Sequence, residues 1–186
     1  MTGRPVLRRN DETAAAKAPP PAASRAKDGH PPAGKADAKP ADAIRLLKDD
    51  HREVAAWFKA YEKLETPAEK QALADKICRG LSVHMMVEEE LFYPAVRPEF
   101  DDESQFDEAE VEHGSAKHLI AEIRSMKAGV PQFCAKVKVL GEYIAHHVEE
   151  EETEMFPRTR ETKIDLKALG ARMAELKATL TKESAA

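Results

Sequence analysis

Leu81-Ser-Val-His84-Met-Met-Val-Glu88-Glu-Glu-Leu-Phe-Tyr-Pro94 returns in altered form as Ile144-Ala-His-His147-Val-Glu-Glu-Glu151-Glu-Thr-Glu-Met-Phe-Pro157. With Pro94 set over Pro157, His84 falls on His147, Glu88 on Glu151 and Phe92 on Met155. Each copy places a His four residues before a Glu. On a helix those positions share one face, roughly 5–6 Å apart at Cβ, so an imidazole and a carboxylate can address one metal or two adjacent ones. Two such helices facing each other would build a dinuclear site between them.

The rest of the chain reads as scaffold for that site. Ile44, Leu47, Val54, Ala55 and Phe58 recur at helical spacing and predict a first helix over about 42–64, with His51 inside the apolar stripe. Thr66-Pro67-Ala-Glu69 is a start signal for the second: a capping Thr, a Pro in the first turn and a capping-box Glu. Its stripe is Leu73, Ile77, Leu81, His84, Glu88, Leu91 and Phe92, and Pro94 is expected to kink it or close its regular part. Asp107 and Glu110 read as a cap pair for a third helix, which carries Ala109, His113, Ala116, Ile120 and Ile123 inward and ends near Gly129. A fourth begins near Pro131 with Phe133, Val137, Leu140, Ile144, His147 and Glu151 on one face. An amphipathic stretch from Ile164 to Leu180 predicts a fifth helix that packs on the outside. Short connections favour antiparallel neighbours, so the predicted fold is all-α, an up-down four-helix bundle with an extra C-terminal helix.

Composition agrees. Charged residues make up 34% and aromatics only 5%, which favours helices over a β-sandwich. Residues 1–40 hold seven of the twelve prolines and almost no large apolar side chain, so they read as a disordered tail ahead of a domain over 41–182. The tail carries eight Lys/Arg against four Asp/Glu; the net charge of −5 therefore splits into about +4 and about −9. An acidic domain is a poor partner for duplex DNA, and no nucleic-acid partner is expected. No run of apolar residues is long enough to span a bilayer and no signal-type leader is evident, so a cytoplasmic location without membrane association is expected. Cys78 and Cys134 alone make neither a zinc site nor a disulfide framework and read as small helix residues.

The chemistry rests on six residues. His51, His84, His113 and His147 each occupy an inward stripe on successive helices, and Glu88 and Glu151 follow two of them by one turn. A lone inward His is usually a satisfied core residue, but four in register with two carboxylates would be costly to bury without cations. Four imidazoles and two carboxylates suit two first-row metals; iron fits well, and zinc and manganese compete. The acidic runs around Glu88 and Glu151 are otherwise expected to be solvated, and His118 and His146 to lie on the surface. A rival register pairs His146 with Glu150. A ferritin-like site would need two Glu-x-x-His motifs, and Glu110-Val-Glu-His113 lacks a second copy.

The order His51, His84-x-x-x-Glu88, His113, His147-x-x-x-Glu151 resembles the hemerythrin-like HHE cation-binding domain, as do Asp50-His51, Glu88-Glu-Glu-Leu-Phe-Tyr-Pro94 and Val111-Glu-His113. The resemblance covers about residues 42–180. It implies a bundle holding a non-haem, carboxylate-bridged iron pair, with His51 and His84 serving one iron, His113 and His147 the other, and Glu88 and Glu151 bridging. It further implies a protein that binds, senses or processes O2, NO or reactive oxygen and nitrogen species; peroxide breakdown and iron storage or delivery are the alternatives. Oxygen-carrying members have another His one turn after the third-helix ligand. Here Lys117 stands there, which favours reaction or sensing over reversible carriage. Tyr143, one turn before His147, is expected to pack rather than to take part in the site.

Overall fold

The computed structural model describes residues 42–184; the expected tail over 1–40 lies outside the described residues. Helix α1 spans Ala43–Tyr61, and Asp42 caps it by accepting from the Arg45 N–H at 2.8 Å. It stops at Tyr61 rather than near Leu64. Helix α2 spans Pro67–Val87 behind the expected capping box of Thr66 and Glu69. After it come a π turn (Glu88–Phe92), the short α3 (Tyr93–Val96) and a 3₁₀ turn (Arg97–Glu99). Helix α4 spans Ser104–Ser125 and α5 spans Pro131–Glu150; Gly129, at φ +109°, makes the left-handed turn between them. A second π turn (Glu151–Met155), α6 (Phe156–Glu161) and α7 (Leu166–Glu183) complete the order, and α7 packs against α1 and α2.

One expectation about a helix cap needs correction. Asp107 and Glu110 do not cap α4, which starts at Ser104 with no side-chain cap. Both carboxylates instead take the guanidinium of Arg97, which also holds Glu103 at 2.7 Å; a positive fork satisfies several acids at once. The regular α-helix closes at Val87, ahead of Pro94 as expected, but helical backbone continues past the proline. The turn before it widens so that the Tyr93 N–H reaches the Glu88 carbonyl, an i→i+5 bond. Phe156 N–H reaches Glu151 O in the same way ahead of Pro157. A proline cannot donate to the i−4 carbonyl, and the wide turn shifts the bonding so that the helix continues past it. The shift also moves the helical face. Leu91, expected inward, is only half-buried, and Tyr93 is buried in its place.

The core comes as two apolar clusters with a polar layer between them. One cluster holds Ile44 and Leu47 of α1, Phe92 and Val96, Phe106 and Ala109 of α4, and Met155 and Phe156, closed by Leu169 and Met173 of α7. The other holds Val54 and Tyr61, Ile77 and Leu81, Ile120 and Ile123, and Phe133 and Leu140. Along α1 and α4 the chain runs from the first cluster to the second; along α2 and α5 it runs back. That alternation is the up-down order. Residues 51, 84, 88, 113, 147 and 151 fall where each helix passes between the clusters.

Candidate metal centre

All six candidates are buried, and Glu88 has no exposed surface at all. His84 Nε2 lies 3.2 Å from Glu88 Oε1, and His113 Nε2 lies 3.5 Å from Glu88 Oε2. His51 and His147 direct Nε2 at Glu151 Oε2, at 3.3 and 3.7 Å. Donor atoms of His51, His84, Glu88 and Glu151 lie within 4.8 Å of one another, as do those of Glu88, His113 and His147. Glu88 is common to both groups. Donors around one first-row cation, each at about 2.1 Å, stand roughly 3–4 Å apart. The observed spacing fits that.

The opposite nitrogens explain why the rings are so oriented. His51 Nδ1–H donates to Glu152 at 3.0 Å, His113 Nδ1–H to Glu89 at 2.9 Å and His147 Nδ1–H to Glu112 at 2.8 Å. Asp50 faces His84 Nδ1 at 3.6 Å. An ionised carboxylate only accepts, so each of the three hydrogen bonds places the proton on Nδ1 and turns an Nε2 lone pair into the centre, whereas His84 Nδ1 has Asp50 as an ionic neighbour but no hydrogen-bond partner. Glu152 is held by Lys48 at 2.9 Å, Glu89 by Lys117 at 2.6 Å, and Asp50 by Lys177 of α7.

The centre is therefore lined by acceptors. Both oxygens of Glu88, Glu151 Oε2 and His51 Nε2 are buried without a hydrogen-bond partner, and the Nε2 atoms of His113 and His147 face each other at 3.1 Å. Lone pairs and carboxylates gathered out of water require protons or cations among them. In the metal-free protein protons supply the balance. Burial, reinforced by repulsion from Glu151 and Asp50, pushes Glu88 well above the carboxylate range. Burial opposes the charge on Glu151 too, but the imidazoles of His147 and His51 outweigh it and hold that group low. Burial and the neighbouring His147 drive His113 down to about 4. At His147 burial is overcome by Glu151 and Glu112, and the ring is raised. A proton on His147 Nε2 can then donate to His113 Nε2.

Several readings of the sequence change. Glu89 and Glu152 are not simply solvated; each turns back to a histidine. Lys117, in the position of the absent fifth His, holds Glu89 and does not enter the centre. Tyr143 lies half-exposed at the surface rather than in the core. The tyrosine that matters is Tyr93, whose hydroxyl donates to Glu151 Oε1 at 2.9 Å and lies 3.5 Å from His113 Nε2. Burial, with Glu151 and Glu88 nearby, keeps it a phenol. One signal for the outer carboxylates was present: an acid directly before His51 and His113, and directly after Glu88 and Glu151. The repeat extends through these pairs, because Asp50 serves His84 as Glu112 serves His147. Likewise Phe156 stacks on His51 at 5.8 Å where Tyr93 leans on His113 at 5.6 Å.

A helical bundle with imidazoles and carboxylates converging between two apolar layers defines a cation-binding class. Residues 42–159 match the Hemerythrin HHE cation binding domain, and the chain belongs to that family. A DNA nickase from Nostoc sp. is 30% identical over 119 residues, which is 64% of this chain and 33% of that protein. The chain thus spans about a third of the length of this relative. Among solved structures, a hemerythrin HHE cation binding domain-containing protein from Mycobacterium kansasii superimposes with a TM-score of 0.67 at 22% identity, covering 77% of this chain and 89% of that one. At that identity the likeness speaks for the fold.

Proposed function

We propose that His51, His84, His113, His147, Glu88 and Glu151 hold two iron ions, and that the protein binds, senses or processes O2 or reactive oxygen and nitrogen species. His51 and His84 would hold one ion and His113 and His147 the other, with Glu88 within reach of both donor groups and Glu151 beside His51 and His147. The observation that carries this reading is the acceptor-lined interior, with four Nε2 atoms facing inward and three of the rings held by hydrogen bonds to outer carboxylates. Mixed nitrogen and oxygen donors suit iron, and a reduced iron pair supplies the electrons that such ligands take up. The chain's own part is to fix the rings, to keep bulk water out with Phe92, Phe156 and Phe106, and to hold a proton on the Tyr93 oxygen beside Glu151.

That proton also supports peroxide breakdown on the same centre, since O–O cleavage calls for a donor within reach. Nicking of DNA, the activity in the Nostoc relative's name, receives less support: residues 41–186 carry about −9, without a basic footprint. No helix among the described residues is long and apolar enough to cross a membrane.

The test is metal analysis of protein from iron-fed cells, with optical and Mössbauer spectra recorded before and after O2. About two irons per chain, with spectra that change on O2 addition, are expected. Native protein that is metal-free, or filled with zinc under iron-replete growth, would refute the reading. O2 release from peroxide that falls in Tyr93→Phe would favour the enzymatic version.

A further inference from the structure

The two halves of the centre match except at one corner. Asp50 and Glu112 occupy equivalent places, each just before an inward His and each serving the His of the other helix in its pair. Lys177 of α7 neutralises Asp50. No lysine or arginine pairs with Glu112 among the described residues. Its Oε2 accepts from His147 Nδ1, while its Oε1 lies 3.8 Å from His146 Nε2. That nitrogen in turn lies 3.2 Å from Glu150 Oε1, and donor atoms of Glu112, His146 and Glu150 all fall within 4.8 Å of one another.

A recess of about 40 Å³ opens at this corner. Its rim is acidic, with Glu108, Glu150 and Glu154 beside Glu112, and none of the four is paired with a lysine or arginine among the described residues. Its walls also include His147 and Glu151, both of the buried centre. Glu151 is 2% exposed, and its Oε2 has no hydrogen-bond partner. A space of about 10–15 Å³ admits one water, so the recess has room for a cation that still carries water.

We propose that Glu112, His146 and Glu150 form an outer cation station through which divalent metal reaches the buried pair. The inference rests on the metal-centre reading above. At the other three corners the outer carboxylate is paired with a lysine, so a cation entering the cavities of about 310 Å³ beside Asp50 and about 560 Å³ beside Glu89 meets that lysine. At this corner it meets carboxylates with no lysine or arginine partner, which raise its local concentration, and the His146 imidazole, which offers a ligand atom. Glu112 then touches the station with one oxygen and a buried histidine with the other. His146 and Glu150, an i,i+4 pair outside the buried centre, thereby acquire a role distinct from that of His147 and Glu151.

The experiment follows Co(II) uptake by the metal-free full chain, read by stopped-flow visible absorption. The His146→Ala/Glu150→Gln double variant is compared with wild type and with Glu142→Gln, an exposed acid of the same helix paired with Lys138. Uptake about tenfold slower in the double variant, with a flatter salt dependence and an unchanged final amplitude, is expected. Uptake at the wild-type rate, or a final amplitude that collapses with the rate, overturns the station. Wild-type protein that takes up no Co(II) overturns the metal centre itself, so the two failures are distinguishable.

Discussion

Replacing Glu88 with Gln should make the metal-free protein more stable and the metal-loaded protein less so. Glu88 is fully buried and both its oxygens lack a hydrogen-bond partner. A buried unmade polar group costs about 1–3 kcal/mol. The amide keeps the shape, stays neutral without having to hold a proton and can donate from its NH2 to His84 Nε2, now 3.2 Å from Oε1. Metal-free Glu88→Gln should therefore gain about 1–3 kcal/mol, or several degrees in Tm. The pH dependence has a definite sign. The carboxyl is raised by folding, so the native state binds the extra proton and wild-type stability falls as pH climbs from the ordinary value of 4.5 toward the raised one. The variant's advantage should be small near pH 4 and grow across that window. With metal the order reverses, because a ligand held only by the native state at a hundred times its Kd adds about 2.7 kcal/mol to wild type. Thermal melts in chelator and in excess metal, with metal counts on the same samples, measure both effects. A metal-free variant less stable than wild type, or one that still binds two ions, would refute the reasoning.

Asp50→Asn breaks the chain from Lys177 to His84 and should weaken metal binding about 10–100-fold, as loss of an outer carboxylate does elsewhere; chelator competition reads the change, and unchanged affinity would leave α7 a packing element only. Metal binding at pH 7 should release protons, because Glu88 and His147 are raised in the metal-free protein and both must deprotonate; indicator absorbance in weak buffer checks this, and uptake without release would contradict it. Supercoiled plasmid incubated with the metal-loaded protein should stay intact on agarose, and nicking that disappears in Glu151→Gln would show that the likeness to the Nostoc relative extends to its activity.

The fold was largely legible because its signals are local. Apolar residues every three to four positions, the Thr66–Glu69 capping box and the two proline-anchored copies each lie within one helix and mark it. The order of His and Glu along those helices names the six inward groups for the same reason: i,i+4 spacing fixes a shared face whatever the partner helix is. Three things were not legible. The π turns leave no mark in composition, yet they bring Tyr93 to Glu151 in place of Leu91. Lys177 and Asp50 are separated by 127 positions, and only the docking of α7 on α1 and α2 brings them together. The difference between the lysine-paired corner at Asp50 and the corner at Glu112, which has no lysine, exists only because a fifth helix covers one side of a nearly symmetric bundle. Backbone periodicity is set residue by residue and can be read from the chain; contacts between distant helices, and the charge balance they create around a buried cation site, are set by packing.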